Sequence, residues 1–249
     1  MSGHSKWSTI KRKKGAADSA RGKVFTKVAR EIIIAARQGG GDPAANSRLR
    51  LAIIKAKEVN MPNDNIKRAI EKAVGGGEGS NLEEVMYEAY AQAGVAVIIE
   101  CMTDNKNRTL PEVRNVVSKR GGNMAEKGAV SYLFNSRGLI VFNGPTEDQV
   151  MEVALEHDVE DICASDDGTV DVTVAVEGFE TLKEAFDKAG LKYDSAEVTM
   201  IPSMQIPIED KEVAEKILAI TDALDELDDV QNVYHNAQFS DALLDQLNE

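Results

Sequence analysis

Apolar positions in residues 20–74 recur at three- and four-residue spacing, the period of amphipathic helices. Val24, Val28 and Ile32 stand four apart, with Phe25 and Ala36 beside them, and predict a helix from about Ala20. Lys23, Lys27, Arg30 and Arg37 fall on the opposite face, within about 80° of arc. One face of this helix packs and the other is a cationic stripe. Gly39-Gly40-Gly41-Asp42-Pro43 stops it. A second helix is expected over 45–59, with Leu49, Ile53 and Ala56 inward. A third follows Pro62, a residue suited to a first helical turn, and carries Ile66, Ala69, Ile70 and Ala73. The three make a small bundle that ends at the Gly-rich run 75–80. That run lacks a Gly-Lys-Ser/Thr ending and reads as a linker.

The period then shortens. Val85–Tyr90 and Val95–Cys101 read as strands joined at Gln92-Ala93-Gly94. A polar loop over 103–109 precedes a helix that opens at Arg108 or Thr109 and carries Leu110, Val113, Val116 and Val117. Val130–Phe134 reads as another strand. Next come a strand over 138–142, a helix over 146–156 and strands over 159–164 and 170–176. A helix over 179–189 and a strand over 192–201 complete the β-α-β-β-α-β order of a ferredoxin-like unit. Asp166-Asp167-Gly168-Thr169 supplies its hairpin turn. After Pro202 and Pro207, a helix over 209–227 and a strand over 230–235 remain. One helix and one strand cannot stand alone, so they are expected to return to the sheet begun near Glu84.

The expected fold class is therefore α+β: an N-terminal three-helix bundle, a central α/β domain and an inserted ferredoxin-like βαββαβ domain. The expected boundaries are a basic mobile arm over 1–20, the helical domain over 21–79, the central domain over 80–136 plus 203–249, and the insertion over 137–202.

Charge changes this picture more than composition does. The 249 residues carry 29 Lys+Arg against 42 Asp+Glu, a formal net charge of −13. Residues 1–80 nevertheless hold 17 Lys+Arg against 7 Asp+Glu, and the rest hold 12 against 35. An acidic chain with a segregated basic module binds nucleic acid through that module alone. The module opens with an unbroken run, Lys11, Arg12, Lys13 and Lys14, flanked by Lys6, Arg21, Lys23, Lys27 and Arg30. Cations of this kind neutralise phosphates and release counterions. Trp7, the only tryptophan, sits just before the run, where an exposed indole can stack on an unpaired base. A solvated tail and a core tryptophan are the plain alternatives.

Cys101 and Cys163 make neither a metal spacing nor a disulfide framework, which points to a reducing compartment. No apolar run approaches a membrane span, and no signal h-region follows the basic N-terminus, so a cytoplasmic protein is expected. There is no Gly-x-Ser-x-Gly elbow and no His-Glu-x-x-His. The acidic stretch 222–229 reads as a solvated helix face. These features predict no enzyme, no cofactor, no metal site and no small-molecule substrate.

Several motifs resemble one family. Gly3-His-Ser-Lys-Trp-Ser-Thr-Ile-Lys-Arg-Lys-Lys-Gly-Ala-Ala-Asp, Met61-Pro-Asn-Asp-Asn-Ile, Tyr87-Glu-Ala-Tyr, Thr103-Asp-Asn-Lys-Asn-Arg-Thr and Gly121-Gly-Asn look like the YebC/PmpR family, along the whole chain. That family includes the mitochondrial translational activator of cytochrome c oxidase subunit I. The resemblance implies the same three-domain fold. It implies a cytoplasmic transcriptional regulator that binds DNA, with action in translation at the ribosome, on rRNA or tRNA, as the alternative. The chain departs from the family twice. Ala89-Tyr90-Ala91-Gln92-Ala93-Gly94 stands where the family often has Gly-Tyr-Gly-Pro-Gly-Gly, and Lys106 stands where it often has Arg. Lys keeps that charge but loses the planar fork.

The loop Asp104–Thr109 is the second expected contact, through Lys106 and Arg108. An Asx-type turn capping a helix explains the same residues equally well. The expected nucleic-acid set is thus Lys6, Trp7, Lys11–Lys14, Arg21, Lys23, Lys27, Arg30, Lys106 and Arg108. Few side chains are placed to read base edges, so backbone or shape recognition is expected. The oligomeric state stays open, with a monomer favoured.

Overall fold

The computed structural model describes residues 18–75, 81–165 and 168–248. The arm up to residue 17, most of the Gly-rich run and the turn residues Asp166 and Asp167 lie outside them. The described residues fall into two compact units: 18–131 with 210–235, and 132–209 with 236–248.

The first unit opens with three helices, α1 (Asp18–Gly39), α2 (Ser47–Glu58) and α3 (Asn63–Val74). Ile32 and Leu49 are fully buried between them, beside Val28, Ala52, Ala56 and Ile66. Each fully buried Val, Leu or Ile side chain contributes about 1.5–3 kcal/mol. Val24, expected on the packed face, is 37% exposed instead, because the core starts one turn later at Val28. The buried Asn46 makes the corner between α1 and α2. Its amide donates to the Ala35 and Gly40 carbonyls, both at 2.8 Å, and its oxygen caps α2 by accepting from Leu49 N–H at 3.1 Å.

The bundle stands on an antiparallel sheet. Its strands are β1 (Glu83–Tyr90), β2 (Ala96–Thr103), β3 (Asn123–Ala125) and the distant β9 (Val230–His235). They run in the order β3-β1-β2-β9. β9 pairs with β2 from Val97↔His235 to Cys101↔Val230, so the strand expected over 230–235 does return to this sheet. Helix α4 (Lys106–Lys119) packs against α7 (Lys211–Asp225), and α7 packs against β9. Arg48 of α2 fastens the bundle to the sheet, with Nε at 3.0 Å from Glu31 Oε1 and an ion pair to Glu84 of β1.

The second unit holds β4 (Phe134–Asn143), α5 (Glu147–Ala154), β5 (Val159–Ala164), β6 (Thr169–Val174), α6 (Phe179–Ala189) and β7 (Ser195–Pro202). Its antiparallel sheet runs β5-β6-β4-β7. That is the ferredoxin-like order, with the first and third strands of the unit at the centre. Phe142 of β4 meets Phe186 of α6 edge to face, with centroids 4.8 Å apart.

Three sequence expectations are corrected. Val130–Phe134 is not a strand: Ser131–Leu133 form a 3-10 turn and β4 begins at Phe134. The buried carboxylate of Glu88 accepts the Gly128, Val130 and Ser131 amides at 2.6, 2.6 and 3.0 Å, so Val130 and Ser131 have no amide to give a ladder. The helix expected from Arg108 begins at Lys106, because Asn105 caps it by accepting from Arg108 N–H at 3.2 Å. Val230–His235 is not the last element. β10 (Ala237–Phe239) follows and pairs in parallel with β8 (Ile206–Ile208), and α8 (Asp241–Asn248) ends the chain. Residues 203–209 and 236–248 therefore group with the ferredoxin-like unit rather than with the central sheet. Among the described residues no helix is long and apolar enough to cross a membrane.

Candidate nucleic-acid interface

Helix α7 ends at Asp225, and the carbonyls of a helix's last turn have no partner further along it. Cations are favoured there by the helix dipole. α1 supplies them. Lys23 Nζ donates to the Glu226 carbonyl at 3.1 Å and pairs with its carboxylate, which raises the Lys23 pKa and lowers that of Glu226. Lys27 Nζ donates to the Asp225 carbonyl at 3.0 Å. Arg30 donates to the Asp228 carbonyl and sits 3.1 Å from Asp229 Oδ1.

Asp229 is the centre of this cluster and is 3% exposed. Its Oδ2 accepts from Arg108 Nη2 at 2.7 Å, from Thr109 Oγ1 at 2.7 Å and from Thr103 Oγ1 at 3.1 Å. Burial pushes this carboxyl up. The Arg108, Thr109 and Thr103 hydrogen bonds and the Arg30 charge outweigh burial and hold it below the usual aspartate value. Arg108 also reaches Asp104 Oδ1 at 3.0 Å, and Lys106 pairs with Glu83.

Four residues of the expected contact set, Lys23, Lys27, Arg30 and Arg108, are thus gathered around the end of α7. Lys106 stands apart on Glu83. Lys23, Lys27 and Arg30 of the stripe read as free cation face the acidic stretch 222–229, where Asp222, Glu226 and Asp228 are exposed, as a solvated face requires, but Asp229 is a buried anchor. Spacing in sequence could not reveal a partner some 200 residues away. Arg21 lies in the first turn of α1, while Lys6, Trp7, Lys11, Arg12, Lys13 and Lys14 lie outside the described residues.

A second feature escaped the sequence reading. α1 and α3 border an open cleft of about 490 Å³. Its floor is apolar, from Phe25, Ala29 and Ile33 of α1, Ala69 of α3, and Met61 and Leu82. Its rim carries Asn65, Arg68 and Lys72, which share one face of α3, with Arg30 and Thr26 opposite and Asp104 at the edge. Arg68 and Lys72 are exposed and have no ion-pair partner among the described residues. The available signal was the polar face of α3, opposite Ile66 and Ile70. Both cysteines are free thiols, and burial pushes Cys101 up to about 12, which leaves it inert.

A helical module on a four-stranded sheet, a strand returning from far along the chain and a ferredoxin-like insertion define a modular α+β protein. Comparison with known proteins supplies the family. Residues 5–76 match the TACO1/YebC protein N-terminal domain, and residues 82–237 match the TACO1/YebC second and third domain. The chain belongs to the TACO1/YebC family. A probable transcriptional regulatory protein of Idiomarina loihiensis is 51% identical over 250 residues, covering 100% of both chains. The probable transcriptional regulatory protein YebC of Salmonella typhimurium is 50% identical over 241 residues, 97% of this chain and 98% of its own. The crystal structure of a conserved hypothetical protein from Aquifex aeolicus superposes with a TM-score of 0.81 at 43% identity, covering 90% of this chain and 93% of that one.

Proposed function

We propose that this chain is a non-enzymatic regulator that binds DNA in the cytoplasm and acts on transcription. The observation that carries the reading is the segregation of charge: 17 Lys+Arg against 7 Asp+Glu in residues 1–80 of a chain whose formal net charge is −13. Basic side chains so concentrated neutralise phosphates, and the acidic remainder keeps the other surfaces off the duplex. Lys23, Lys27 and Arg30 are engaged at the end of α7, so the work of binding the duplex falls on Lys6–Lys14. These contacts position the protein without reading bases. The names of the relatives support transcription as the process, and the free thiols fit a reducing compartment.

Replacing Lys11, Arg12, Lys13 and Lys14 together with Ala tests this. If the four neutralise four phosphates, the slope of log affinity against log salt on duplex DNA becomes shallower by about 3.6. The loss is expected to be equal on unrelated duplex sequences. An unchanged slope on duplex DNA sinks the arm as the binding element. Binding to ribosomes with none to duplex DNA moves the reading to translation.

A further inference from the structure

We propose that the cleft between α1 and α3 holds one unpaired nucleotide of a single-stranded nucleic acid, its base on the apolar floor and its phosphate on Arg68 and Lys72. The proposal rests on the nucleic-acid reading above and narrows it to a site and a ligand shape.

Its volume of about 490 Å³ falls within the range of small-ligand pockets, roughly 300–1,000 Å³. The chemistry of the lining narrows the ligand further. Met61, Ala69 and Ile33 are buried beneath the cleft, and Phe25 lies half-buried along one wall. This surface suits a flat, weakly polar body and offers nothing to a compact inorganic anion. Arg68 and Lys72 stand one turn apart on α3, exposed and with no ion pair among the described residues, and so are available to an anion at the edge. Asn65, one turn before Arg68, has both a donor and an acceptor for a base edge. A flat body, a polar edge and an attached anion together describe a nucleotide.

A paired base fails this test, because it is stacked inside its duplex and cannot reach a floor recessed between two helices. An unpaired base can be splayed out, and the guanidinium of Arg68 adds a plane on which it can stack. An acyl chain suits the floor but not Asn65 and Asp104.

Fluorescence anisotropy with the full chain tests the site. The probes are a single strand of about 12 nucleotides carrying 2-aminopurine, its duplex form, and anionic phospholipid vesicles. The single strand is expected to bind more tightly than the duplex and to show altered 2-aminopurine emission. Arg68→Gln with Lys72→Gln, both exposed and outside the core, is expected to weaken the single strand about tenfold and the duplex less than twofold. A second variant, Thr26→Trp, narrows the cleft from α1 without removing charge and is expected to act on the single strand alone. Equal losses on both probes, or 2-aminopurine emission unchanged on binding, overturn the site without overturning the reading that the arm binds nucleic acid. Failure to bind either nucleic acid overturns both readings. Vesicle binding lost in the Gln variant, with no single-strand preference, assigns the cleft to lipid phosphate and overturns the nucleotide.

Discussion

Asp229 shows how one carboxylate can hold elements far apart in the chain. It is buried, and a buried charge is tolerated only when it is paired and hydrogen-bonded. Arg30, Arg108, Thr103 and Thr109 meet that need. Asp229→Asn keeps the shape but deprives Arg30 of its counter-charge and leaves Arg108 with Asp104 alone, and is expected to lower stability by about 2 kcal/mol. The pH dependence follows from the direction of the shift. The folded-state pKa lies below the ordinary value, so the carboxylate's contribution is complete above about pH 4 and is lost as pH falls through the folded value. Urea denaturation over a pH series should show the wild-type and Asn curves converging on acidification. A gap that stays constant down to pH of about 2 would show that the charge itself contributes nothing.

Among the elements, the β1–β2 hairpin departs most clearly from the pattern of its family. Its turn puts Ala93 at φ 57 and Gly94 at φ 74, both left-handed. A Cβ in that region costs about 1–2 kcal/mol, and Ala93 stands where the family often has Gly. Ala93→Gly is therefore expected to stabilise the chain by about 0.5–1 kcal/mol, after the entropy that Gly adds to the unfolded state. A shift of the urea midpoint to higher concentration at constant m-value would confirm it, whereas a lower midpoint would mean that Ala93 is not strained. The capping Asn residues act at the same scale. Asn46 and Asn105 set where α2 and α4 begin, two starts that the sequence pattern puts at 45 and at 108 or 109.

At the scale of the whole molecule, the central sheet is built from pieces more than a hundred residues apart. β2 is buried along most of its length and is covered on one edge by β1 and on the other by β9. A chain cut after residue 210 keeps β1, β2 and β3 but loses β9 and α7. It then exposes an open edge beside Val97, Ile98 and Ile99, the kind of edge that templates aggregation. Size-exclusion chromatography of the truncated chain should show aggregate. A monodisperse, folded fragment would show that β9 is dispensable to the sheet.

Local patterns were legible in the sequence because helix period, strand alternation and turn chemistry are set by neighbouring residues. The limits of α6 and β9 could be read directly, and so could the ferredoxin-like order, since each connection there is short. The loop 126–131 was not legible, because a carboxylate some 40 residues earlier captures its amides. Nor were β8 and β10, whose three residues each carry too little periodicity to stand out. The cationic face of α1 shows the division most clearly. Its position on the helix follows from a period of 3.6, but its engagement with the end of α7 depends on where two distant helices come to rest. Charge pattern records which side chains share a face. Only tertiary packing decides what that face meets, and here it turned part of an apparent phosphate-binding stripe into an internal joint and left Arg68 and Lys72 standing over an open cleft.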